Sequence, residues 1–295
     1  MTKTMSGCTS ATINTVCDVS FELMKQQLLI VKELPVETQW RRTQGLGFAR
    51  TLQTVPLVAL ELSNVVLSLP VAVVPEGAAG WRVVALLGAA LGSNACVSPQ
   101  GQWLSRHVPA ALRGHPFVWQ TDVDGGVDGE LTLLADARVS QASSAAGVEP
   151  LWTEDGGLSP QVLRVQSFLQ QVEQGVQAMS VAAAQLHGAG LLEPWEPDGA
   201  VMPLDAPWHR VNESALNALS DANFVALRAG GALALASAQL QSIGQWPLLR
   251  QLAERASASG VLPHPAFNLT AVSPNKAFVD PTALNFLQHL AQAQD

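Results

Sequence analysis

The feature that most constrains this chain is a change of hydrophobic period at Ser159. Before it, apolar residues come in short β-branched runs cut by proline and glycine. After it, Val162, Val165, Leu169, Val172, Val176, Met179, Ala183 and Leu186 recur at steps of three and four. Steps of that size place one apolar stripe along a helix, whereas alternation or short apolar runs suit strands. Ser159 stands where an N-cap oxygen is wanted and Pro160 where a missing N–H costs nothing, while Gly188 and Gly190 supply the stop. At 1.5 Å per residue the predicted helix is roughly 40 Å long.

Strands are expected at 27–32, within 54–74, at 81–87, at 94–97, and as a hairpin from 117–120 and 131–135. Residues 36–53 read as irregular. Residues 137–158 are rich in Ser, Ala and Gly, with Trp152 as an aromatic anchor. Beyond the long helix, 196–208 reads as a turn-rich insertion. Helices follow at 213–219, 221–229, 232–243 and 247–257, with a last helical segment from Thr282. Strands and helices segregate along the chain instead of alternating, which predicts an α+β fold. A lobe of short, mostly antiparallel strands (24–140) packs on a helical lobe (159–257) through a linker (141–158). Residues 1–23 form an N-terminal extension and 258–295 a tail.

Between the two regimes lies GQWLSRHVPAALRGHPFVWQ, residues 101–120, where cations and aromatics crowd together. Pro109 and Pro116 prevent it from being one helix or one central strand. Guanidinium and indole faces together bind carboxylates and planar groups, so Trp103, Arg106, His107, Arg113, His115 and Trp119 are the candidate binding residues. His107 or His115 could also serve as a general base. The competing reading makes the arginines salt-bridge partners and the rings the edge of a core.

Other chemistry is sparse. The two histidines lie eight residues apart, not at the i,i+4 spacing of a helical metal pair. Asp122, Asp124, Asp128 and Glu130 miss the calcium-loop pattern and read as a polar hairpin turn. No GxSxG, GxGxxG or P-loop occurs, so no cofactor or metal is expected. The absence of tyrosine removes any tyrosine acid–base chemistry. Cys8, Cys17 and Cys96 are odd in number and show no CxxC spacing, which points to reduced thiols and a cytoplasmic setting. A net charge of −8 opposes nucleic-acid binding, which needs a positive field. No apolar run reaches the roughly 18–20 residues of a membrane span. Only 14% of residues are charged, and such a surface suits a protein or peptide partner.

Several blocks together resemble the bacterial SapC family, which is distinct from the peptide-transport permease of the same name. They are QLLIVKELPV (27–36), VPLVALEL (55–62), VVALLG (83–88), GQWLSRHVPAALRGHPF (101–117), EPLWTEDGGLSP (149–160), LLEPW (191–195) and VNESALNALSDANFVALRAGGALALASAQLQSI (211–243). Against the family pattern, Leu69-Pro70-Val71-Ala72-Val73 replaces an aromatic–Pro–Ile–Val–Phe strand. Gln39 or Trp40 stands in for a histidine, and His115 for a tyrosine. The resemblance implies an accessory role beside bacterial surface layers or outer-membrane uptake systems, and no established reaction. The two functions to separate are therefore a non-catalytic binding protein and an enzyme acting in the Arg/His junction.

Overall fold

A computed structural model describes residues 27–77, 80–121, 129–139, 143–204 and 206–259. The fold is α+β, and every strand pairing among the described residues is antiparallel. The extension 1–23, the helix expected from Thr282, and Asp122, Asp124 and Asp128 lie outside the described residues.

The central sheet is built around the apolar runs at 54–56 and 71–86. Strands β3 (Thr54–Pro56), β4 (Val71–Glu76) and β5 (Gly80–Leu86) pair across a hairpin turning at Gly77. The strand expected across 54–74 is interrupted by a 3-10 turn, Ala59–Glu61, and the single helical turn α1 (Leu62–Val65). The segment expected as a strand at 94–97 contributes only an isolated bridge, Val97 with Trp103.

Two further strands of this sheet come from beyond the long helix. β10 (Leu192–Pro194) and β11 (His209–Val211) complete the order β10-β11-β4-β5-β3. Neither is expected from the sequence: β10 precedes and β11 follows the stretch 196–208 read as a turn-rich insertion, and runs of three residues carry little period of their own.

Two smaller sheets flank it. β1 (Leu28–Ile30), β7 (Gly129–Leu134) and β6 (Phe117–Thr121) form one, in the order β1-β7-β6. The other joins β8 (Arg138–Val139), β2 (Gln39–Arg41) and β9 (Val148–Pro150). β2 lies in the segment read as irregular and β9 in the expected linker.

Helix α2 (Pro160–Gly188) runs against both cores. The Ser159 hydroxyl accepts from Val162 N–H at its start, as the sequence predicts. Val162 and Leu169 on its first half pack with Trp40, Phe117 and Leu133. Met179, Ala183 and Leu186 on its second half enter the main core with β4 and β5. Midway, Gly175 lets the turn before α1 approach, since a Cβ there would lie 2.8 Å from the Val58 side chain.

α3 (Glu213–Asn217), α4 (Asp221–Ala229), α5 (Ala232–Ser242) and α6 (Trp246–Ser259) close the fold. Their Leu227, Leu235, Trp246 and Leu249 join the same core as the central sheet. Among the described residues no helix is long and apolar enough to cross a membrane.

The join between α5 and the sheet is polar. β11 meets β4 through one registered pair, His209 with Val73. The buried Gln239 amide closes the gap, accepting from Val211 N–H at 3.0 Å and donating to Val71 carbonyl at 3.1 Å. One turn later, Ser242 hydroxyl accepts from Val71 N–H at 2.9 Å. These side chains stand in for a ladder that two short strands do not complete, which buried backbone groups require.

Candidate functional site

The junction 101–120 is organised by a residue outside it. Glu61, at the end of the 3-10 turn, is 5% exposed and sits in the otherwise apolar run 55–62. Its carboxylate accepts from Val58 N–H at 3.1 Å, from Ala110 N–H at 2.8 Å and from His107 Nε2 at 2.9 Å. A buried carboxylate is tolerated when its lone pairs are filled in this way. Its effect is to pin the junction to the α1 turn.

Three of the six candidate residues meet there. The His107 carbonyl accepts from the buried Trp103 indole at 2.8 Å. Arg113 wraps back onto Val108 carbonyl through Nε and Nη2, at 2.9 and 2.6 Å. Its Nη2 also lies 3.3 Å from His107 Nε2. Trp103, His107 and Arg113 therefore hold the loop in shape.

His115 sits apart from them. Its ring stacks on Phe48 with centroids 3.7 Å apart and 12° between planes, and Nδ1 lies 2.7 Å from Thr43 Oγ1. Burial pushes its pKa down to about 4, against the opposing pull of the Asp136 carboxylate. A ring neutral at pH 7 and covered by Phe48 makes a structural plug. The His115–Pro116 bond beside it is cis.

Arg106 and Trp119 each face a different cavity. Arg106 is exposed, with no ion pair among the described residues, and borders a groove of about 260 Å³. Leu67 and Ser68, Cys96 and Leu104, and Leu248 and Leu252 of α6 line it. Burial pushes the Cys96 thiol up to about 12, so it lines the groove as a small apolar residue and not as a nucleophile. Trp119 lines a second cavity with Trp152, and Arg106 is not among its lining residues. Neither cavity is lined by His107 or His115.

Sequence reasoning missed Glu61, Leu67 and Leu248. A lone carboxylate within VPLVALELSNVV was a usable signal for Glu61. The two leucines carried none, because only the fold reveals that they are surface residues, Leu67 60% and Leu248 56% exposed. Among the described residues no group of three or more His, Cys, Asp or Glu is placed to hold a metal.

Neither a curated protein nor a solved structure matches the chain. The SapC profile matches residues 36–249, more than half of the sequence, and takes in the whole junction, the central sheet and helices α1 to α5. The chain belongs to the SapC family.

Proposed function

We propose that this protein is a non-catalytic accessory that holds a segment of a protein or peptide partner in the groove between Leu67 and α6. In this reading it serves a bacterial surface-layer or outer-membrane uptake system from the cytoplasmic side, in keeping with Cys96 being a free thiol. The observation that carries the reading is the composition of the groove. Leu67 and Leu248 keep most of a leucine side chain in water while lining the same groove, at 60% and 56% exposure, with Arg106 also in its lining. Grouped exposed leucines next to a cation are what an apolar segment bearing a carboxylate would cover. On a chain of net charge −8, such a cationic rim also selects its partner's sign.

The test is affinity capture from the source cells with wild type, Leu248→Asp and Arg106→Glu chains. The reading expects one protein retained by wild type and lost by both variants, all three unfolding at the same denaturant concentration. Equal retention by all three removes the groove from the account.

The second reading, an enzyme with His107 as general base, draws on the Glu61–His107 contact, which has the form of a base held by an orienting carboxylate. The same carboxylate also holds two backbone N–H groups. His115, half-buried and with its pKa pushed down to about 4, is a poor base.

A further inference from the structure

We propose that the cavity between Trp119 and Trp152 is a saccharide subsite that takes one pyranose ring. It is separate from the Leu67–Leu248 groove and does not depend on that groove having a partner. Its volume is about 250 Å³. That lies below the roughly 300–1,000 Å³ of sites for drug-sized ligands, which suits an occupant of one small ring.

The lining sets the class. Two indoles, Trp119 from β6 and Trp152 from the loop after β9, give apolar faces, and Leu131 adds an aliphatic side. Lys32, Glu130 and Gln166 supply the polar groups. Lys32 and Glu130 pair with each other, so the site has no surplus charge with which to hold a phosphate or an ammonium. Yet an ammonium has three donors, a carboxylate about four lone-pair sites and an amide both kinds, so one mutual contact leaves capacity on each. Hydroxyl groups, which donate and accept, can use all of it. A hydrocarbon chain would make no use of that spare capacity. A pyranose matches both halves, turning ring C–H bonds to the indoles and hydroxyls to the polar edge.

The hairpin itself is shaped to keep Trp119 there. Gly129, which pairs with Thr121 in the β6–β7 ladder, lies diagonally from Trp119, and a Cβ at 129 would run into Trp119 Nε1 and come within 2.7 Å of Gln120 carbonyl. Any side chain at that position would push the indole off its seat. No hydrogen bond from Trp119 Nε1 is made among the described residues, so the donor is available at the cavity.

The probe is methyl β-glucoside, whose equatorial hydroxyls leave axial C–H bonds on both ring faces. Glycerol serves as the acyclic polyol control. Saturation-transfer NMR on the full chain should show saturation of the glucoside ring protons and none of glycerol, with a dissociation constant on the order of 1 mM. Trp119→Ala should weaken binding about tenfold or more, a loss of about 1.4 kcal/mol or more. Glu130→Gln, an exposed change that keeps the fold, should weaken it several-fold. Leu248→Asp, in the other groove, should leave it unchanged. Absence of ring saturation in wild type, equal saturation of glycerol, or undiminished binding by both Trp119→Ala and Glu130→Gln overturns the proposal. Should Trp119→Ala fail to fold, Glu130→Gln alone decides.

Discussion

At the residue scale, Glu61 carries the largest single role. Glu61→Ala would leave Val58 N–H, Ala110 N–H and the His107 ring without their acceptor. Stranding buried donors costs roughly 1–3 kcal/mol each, partly relieved when water enters, so a net loss of about 3 kcal/mol is expected in urea unfolding. Glu61→Gln keeps an acceptor oxygen and should recover part of it. An Ala variant within about 0.5 kcal/mol of wild type would show that the pin is unimportant. His115 makes a separate, pH-dependent prediction. Its folded pKa, about 4, lies below the ordinary value of 6.5. The unfolded chain therefore binds the extra proton between those values, and the contribution is full above pH 6.5 and lost as the pH falls toward 4. From about pH 7 to about pH 5, wild type should lose on the order of 2 kcal/mol more than His115→Phe, which keeps the stack and cannot titrate. Parallel pH profiles for the two chains would refute the assignment.

At the element scale, the long helix was legible, and of the three-residue strands only those within longer apolar runs, β1 and β3, were. Helix α2 was readable from Ser159 to Gly188 because its stripe, its cap and its stop all agreed. The β6–β7 hairpin and β5 were readable for the same reason. β2, β9, β10 and β11 are three residues each, and what places them is a partner strand distant in sequence. Of the candidate site, Trp103, His107 and Arg113 were legible as neighbours, but the Glu61 that binds His107 and the junction backbone lies 46 residues before it. The remaining candidates diverge to separate surroundings because two prolines turn the segment, a geometry that composition does not encode. Gln239 shows the same limit: within an Ala/Leu-rich helix it reads as a solvated residue, yet it is fully buried and bridges β4 to β11. Gln239→Leu should keep the volume but strand Val211 N–H and Val71 carbonyl, costing about 2–3 kcal/mol. Hydrogen exchange should then accelerate at Val211 first. Unchanged protection there would mean that the strands hold without the amide.

At the scale of the whole molecule, one main core takes residues from both halves of the chain. Val73 and Val84 of the central sheet, Leu186 of α2 and Leu235 of α5 belong to the same cluster. That continuity gives α6 a fixed seat through Trp246, whose indole donates to Asp198 carbonyl at 3.1 Å, and through buried Leu249. A seated α6 in turn fixes Leu248 in the groove that Leu67 also lines, so the groove is a preformed feature of the fold and not a gap between independent parts. The measurement that tests the central claim most directly is photocrosslinking with benzoylphenylalanine at position 248, and separately at 181, an exposed site on α2 outside the groove. The account predicts one defined crosslinked species from source cells at position 248, absent at 181 and abolished by Arg106→Glu. The same species at both positions, or one at 248 that survives Arg106→Glu, would contradict it.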